Sequence, residues 1–143
     1  MPNQITLAGI ALDDHHEWTD EFQWSAVEQE QERSLSGALI VQEGVKRYGR
    51  PITLAANNAA WTPLSVVRRL EELRDQLGLV MLLELADGRG FHVIFNRVDG
   101  NPLEAHQLVR EVEPGPDADY LITLKLITVA PPPEPVPEPD PQP

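Results

Sequence analysis

An α+β fold, mainly antiparallel sheet with one flanking helix, is the class this sequence predicts. Three observations carry that expectation. Leu64, Val67, Leu70, Leu73 and Leu77 repeat at three- and four-residue spacing, which puts them on one helix face. Residues 120–129 alternate through a long strand, with Tyr120, Ile122, Leu124, Leu126 and Thr128 against Leu121, Thr123, Lys125, Ile127 and Val129. Strand-like segments separated by turn signals stand on both sides of the helix. A β-sandwich or split barrel with the helix packed on it is the arrangement expected.

Taken in order, residues 5–12 are apolar and threonine-containing and read as one strand, bent or bulged at Gly9. A polar loop follows at Asp13-Asp14-His15-His16-Glu17, then a short acidic segment with Trp18, Phe22 and Trp24. Residues 25–32 alternate Glu and Gln (Glu28, Gln29, Glu30, Gln31, Glu32), which suits an exposed edge strand or an arm. Residues 34–42 carry apolar or small side chains on both faces, so the expectation is a strand covered on both, by the core and by a partner subunit. Glu43-Gly44 ends it, a basic connector at residues 45–50 holds Lys46, Arg47 and Arg50, and residues 51–55 form the next strand. Asn57 and Asn58 mark a loop. Thr62 is the expected N-cap and Pro63 the first helical residue, Trp61 a staple against the sheet, and Gly78 the stop. Strands at residues 79–85 and 91–95 flank the hairpin signal Asp87-Gly88. After the turn Asp99-Gly100-Asn101-Pro102, residues 103–112 read as a strand anchored by Leu108 and Val112.

Residues 1–129 fit one domain, and residues 130–143 stand apart from it. Eight of the fourteen prolines fall in that last segment, which therefore reads as polyproline II or disordered. The chain carries 11 Lys+Arg against 23 Asp+Glu, net −12. Three of those acids, Glu134, Glu138 and Asp140, lie in the Pro-rich segment, leaving 20 acids against 11 bases, net −9, in the domain. Such a surface lacks the clustered cations that phosphate contacts need, so no nucleic-acid binding is expected. The absence of cysteine excludes disulfides, thiolate metal sites and a cysteine nucleophile. No signal peptide and no run of roughly 20 apolar residues is evident, so the reading is a soluble chain made in the cytoplasm, with no membrane partner.

No catalytic constellation emerges. The Asp13-Asp14-His15-His16-Glu17 run resembles metal chemistry, but neighbouring histidines diverge and neither has the i, i+4 spacing of a helical zinc pair. It reads as a solvated turn. His92 and His106 have no serine or carboxylate at a motif spacing, and Ser34 and Ser36 belong to no nucleophile elbow. Gly88-Arg89-Gly90 lacks the helix and lysine of a phosphate cradle and reads as a tight hairpin. No enzyme, cofactor or metal is expected. The basic connector invites self-association with the acidic patch at residues 28–32, and head-to-tail contacts of that kind close into rings when the rotation permits. The candidate subunit interface is therefore Glu28, Glu30, Glu32, Leu35, Leu39, Val41, Lys46, Arg47 and Arg50.

A family pattern accompanies these features. It runs through Ile5-Thr6-Leu7-Ala8-Gly9, then Glu17-Trp18-Thr19-Asp20-Glu21-Phe22-Gln23-Trp24-Ser25. It continues in Ser34-Leu35-Ser36-Gly37-Ala38-Leu39-Ile40-Val41-Gln42-Glu43-Gly44 and Gly49-Arg50-Pro51-Ile52-Thr53-Leu54. After the helix come Asp87-Gly88-Arg89-Gly90-Phe91-His92-Val93-Ile94-Phe95 and a closing Tyr120, Leu124, Leu126, Ile127. Residues 4–129 resemble small structural proteins of tailed bacteriophages, of the distal-tail, baseplate and tail-tube-like set. The resemblance implies a tail-tube-like β-sandwich or barrel and a virion location. It also implies a ring, hexameric by analogy, contacting tail tube, sheath or baseplate proteins at the tube–tip junction. It implies no catalytic residues, and the Pro-rich segment is not part of its pattern. A tail tube or tail-terminator protein is the rival within that class. Outside it, the rival is a carbohydrate- or ligand-binding β domain using Trp18, Trp24 or Trp61 as a stacking platform.

Overall fold

The computed structural model describes residues 4–132. The Pro-rich segment expected at 130–143 falls almost wholly outside those residues. Ile5–Leu7 (β1) and Ile10–Leu12 (β2) pair antiparallel around Ala8 and Gly9. This is a hairpin rather than the single bent strand expected. Both turn residues are left-handed, with φ of +52° and +81°, the conformation of a tight two-residue turn. Alanine is a poor residue for that conformation, which is why the turn is hard to see in the sequence. Ala8 is exposed, so Ala8→Asn should relieve the strain and raise stability by about 1 kcal/mol, measured as a rise in melting temperature.

Glu17–Trp18 (β3) is followed by Val27–Arg33 (β4), Leu39–Val45 (β5) and Pro51–Ala55 (β6). Thr62–Pro63 (β7) leads into the helix Leu64–Arg74 (α1). Met81–Glu84 (β8), Gly90–Phe95 (β9), Leu103–Gln107 (β10) and Asp119–Thr128 (β11) complete the chain. The main sheet is antiparallel, in the order β2-β1-β8-β9-β11-β6-β3. β11 is its hub. One edge of β11 pairs with β7 and then β6, the other with β10 and then β9. The long alternating strand expected at the C-terminal end is thus the central one, and its inward residues Ile122, Leu124 and Leu126 are all at most 1% exposed.

Alternation places Ile52 and Leu54 of β6, Met81 and Leu83 of β8, and Val93 and Phe95 of β9 in the same core. The helix adds Val67 and Leu70, with Leu64 and Leu73 packed at its margin. Its ends differ from expectation. Thr62 is buried in β7 and makes no cap; Pro63 occupies that position. The first free helical N–H groups are satisfied by the 116–118 loop, Leu64 donating to the Ala118 carbonyl at 2.9 Å and Ser65 to that of Pro116 at 3.0 Å. The helix stops at Arg74, so Leu77 falls beyond it and is fully exposed. β10 ends at Gln107, and Val112, expected as an anchor, lies in solvent. Trp61 is half exposed rather than stapled to the sheet. Among the described residues no helix is long and apolar enough to cross a membrane.

Candidate functional site

β4 and β5 belong to no other sheet. They pair only with each other, in the register Val27↔Val45 to Arg33↔Leu39, and every residue in both strands is exposed. The strand expected to be buried on both faces is therefore bare on both. Seven residues per strand make an arm about 24 Å long. The Glu/Gln segment at 25–32, expected as an edge strand or an arm, forms its first strand.

Period-two alternation gives the arm two chemically distinct faces. Glu28, Glu30 and Glu32 stand in a row on one, opposite Gly44, Gln42 and Ile40. Val27, Gln29, Gln31 and Arg33 stand on the other, opposite Val45, Glu43, Val41 and Leu39. That second face carries four exposed aliphatic side chains, and a hydrogen bond from the Gln29 amide to the Glu43 carboxylate at 2.6 Å crosses it. The tip is built by local chemistry. Ser34 Oγ accepts the Ala38 N–H, the Ser34 and Ser36 hydroxyls bond each other at 2.9 Å, and Gly37 takes φ +86°. These serines are turn-forming, and Leu35 projects fully into solvent between them.

The arm's root is as tied down as its tip is free. The Lys46 N–H donates to the Ala26 carbonyl at 2.7 Å, closing the hairpin. Gly49 donates to the Thr128 carbonyl and the Arg50 N–H to the buried Thr128 hydroxyl, both at 2.9 Å. Asp20 receives the Thr53 N–H and hydroxyl on its two oxygens, each at 2.9 Å, which fastens the acidic segment to β6. Arg50 lies 4.4 Å over the Trp18 ring and 5.7 Å from that of Trp24, and donates to the Glu21 carbonyl at 2.8 Å. Lys46 sits 5.1 Å over Trp24, while Arg89 covers Trp18 and pairs with Glu21 and Asp87. Trp18 also meets Phe91 edge-on at 5.8 Å. Cation–π stacking of this kind holds the guanidinium and indole planes together.

The interface residues read from the sequence thus separate into four places, the two faces of the arm, its tip and its root. Glu28, Glu30 and Glu32 line one face of the arm, and Leu39 and Val41 line the opposite face, with Leu35 at the tip. Lys46, Arg47 and Arg50 gather at the root, where Lys46 and Arg50 are stacked on tryptophans and Arg47 is exposed. Val27 and Val45, 47% and 75% exposed, complete the aliphatic face and were missed. The alternation of residues 27–33 and the continuation of the second strand to Val45 would have exposed them. As for a sugar platform, Trp18 and Trp24 already carry cations on their rings, and Trp61 joins neither. The backbone N–H of Trp61 donates to the Asp13 carboxylate at 3.2 Å.

In the 13–16 loop, Asp13, Asp14 and His15 approach one another closely enough to share an ion. Their geometry is accounted for without one. His15 Nδ1 lies 2.8 Å from Asp13 and 3.1 Å from Asp14, and His16 turns inward onto the Asp13 carbonyl. The hydrogen bond to Asp13 and the two negative charges raise the His15 pKa above 6.5. Burial would raise that of Asp13, but hydrogen bonds from His15 and the Trp61 backbone outweigh it and hold the carboxyl below 3.8. The charged His15–Asp13 contact therefore occupies the window between the lowered Asp13 value and the raised His15 value: it fades as pH rises through the latter and is lost as pH falls through the former. Proton NMR should find His15 titrating above 6.5, and Asp13→Asn should bring it down. Comparison with protein-family models, with curated proteins and with solved structures finds no match to this chain.

Proposed function

We propose that the chain is a structural subunit of a bacteriophage tail, assembling into a ring where the tail tube meets the baseplate or tip. The observation that supports this is the arm. A lone two-stranded ribbon is marginal in water, and this one offers two unpaired edges and an uncovered aliphatic face. Edge-to-edge addition of arms from neighbouring copies satisfies both edges at once, and a closed ring of them leaves none. Closure turns one face of the arm inward. The row Glu28, Glu30, Glu32 suits that side, because a negative wall repels passing DNA phosphates. The face bearing Val27, Leu39, Val41 and Val45 then packs outward against protein. The tail-tube-like barrel is a property of this assembly, built from arms and domains together, and the resemblance in residues 4–129 points to six copies. The mechanism is mechanical, joining tube, surrounding tail proteins and baseplate.

Electron microscopy of virions or induced lysate with an antibody against this chain tests the reading. Label confined to the tip end of a tail is the expected result. Label along its length assigns the chain to the tube instead, and no label on any particle overturns the proposal.

A further inference from the structure

Beside the arm's root lies a cavity of about 280 Å³ that none of the ring argument uses. Its walls are Trp24, Tyr48, Phe91 and His92, with Arg47 and Arg50 at the rim. Aromatic rings interleaved with cations are unusual on a surface that is otherwise strongly acidic. Tyr48 is half exposed, and Arg47 is exposed without an ion-pair partner among the described residues. The end of β11 and the residues after it line the cavity too, as far as Pro131. The chain reaches the pocket from β11, where Val129 N–H donates to the His92 carbonyl at 2.9 Å. The next residues in sequence are Pro133, Glu134, Pro135, Val136, Pro137, Glu138, Pro139, Asp140, Pro141, Gln142 and Pro143.

We propose that this pocket is the docking groove for the chain's own segment 133–143. Proline packs flat against aromatic rings, and aromatic-lined grooves are the usual receptors for Pro-rich segments. Such a segment loses little entropy on binding because its φ angles are already restricted. Its charge fits as well. It carries three acids and no base, and the groove is lined by Arg47 and Arg50, with Lys46 beside it over the Trp24 ring, the densest basic cluster in the chain. Reach favours the same copy over a neighbour. Glu134 is only two residues past Pro132, about 6 Å in an extended Pro-rich chain, and tethering raises the local concentration to the millimolar range. Docking covers Trp24 and Tyr48 and braces the root from which the arm projects. This inference stands whether or not the arm builds a tail.

The test compares the full chain with a version ending at Pro132, by amide and indole N–H NMR. Removing residues 133–143 should shift the Trp24 indole and the His92 and Thr128 amides. Adding the peptide of residues 133–143 to the shortened chain should return them saturably toward their full-chain positions. A peptide with Glu134, Glu138 and Asp140 changed to their amides should fail, and so should the native peptide in 1 M salt, where the screening length falls to about 3 Å. Arg47→Glu in the full chain, at an exposed position that the fold does not need, should move the Trp24 indole toward its shortened-chain position. Superimposable Trp24 and His92 signals in the long and short chains would overturn the proposal. So would full-chain shifts that vanish on dilution, since those would place the segment on a neighbour.

Discussion

Excising the arm should leave the domain folded and abolish assembly. Ala26 and Lys46 are joined by a 2.7 Å hydrogen bond, so an Asn-Gly turn between them can replace residues 27–45 without moving the root. No side chain of either arm strand is buried, so the loss should change stability by no more than about 0.5 kcal/mol, within the range of surface substitutions. The melting temperature should hold while incorporation into particles falls to nothing. Point variants separate the two faces. Leu39→Glu with Val41→Glu puts charge on the aliphatic side and should prevent ring formation outright, because a buried unpaired carboxylate at each interface is far costlier than the contact it replaces. Glu30→Lys, on the opposite face, should still assemble, with its effect seen in DNA passage rather than in particle count. An excised chain that still enters particles would remove the arm from the argument altogether.

How much of this could be read in the sequence depended on where each side chain ended up. The helix around Val67 and Leu70, the hairpin at Asp87-Gly88 and the alternation of β11 were legible, because burial on one face leaves a periodic trace. The arm misled for the same reason. Residues 34–42 look covered on both faces, and nothing within one chain says that the cover is absent from the monomer. The answer lay in pairing residues 27–33 with 39–45, which turns a two-faced apolar strand into one side of a two-faced ribbon. Leu77, Val109 and Val112 show the other limit. They are apolar yet exposed, and hydrophobic character alone does not locate a residue. The root was partly visible as a basic cluster, but its stacking on Trp18 and Trp24 joins residues far apart in sequence. It left no local signal.

Leu124→Ala should remove a large share of the domain's stability, about 2–5 kcal/mol out of the 5–15 kcal/mol that a small domain holds. The site makes the upper part of that range the expected one. Leu124 is completely buried at the middle of β11, opposite Leu54 of β6 on one edge and Leu103 of β10 on the other. Both neighbours are themselves at most 4% exposed, so a cavity there has little room to collapse. β11 is also the strand on which β6, β7, β9 and β10 converge, so loosening it loosens the whole sheet. Thr128, which anchors the Arg50 N–H and the Gly49 N–H at the arm's root, lies on the same strand. The arm's root should therefore loosen with the core. Leu35→Ala at the exposed tip removes the same side chain and should leave the denaturant midpoint where it was. Parallel urea titrations of the two variants check this directly. A Leu124→Ala chain as stable as the parent would mean that the sheet is not held through β11, and the rigid root on which the arm depends would have to be sought elsewhere.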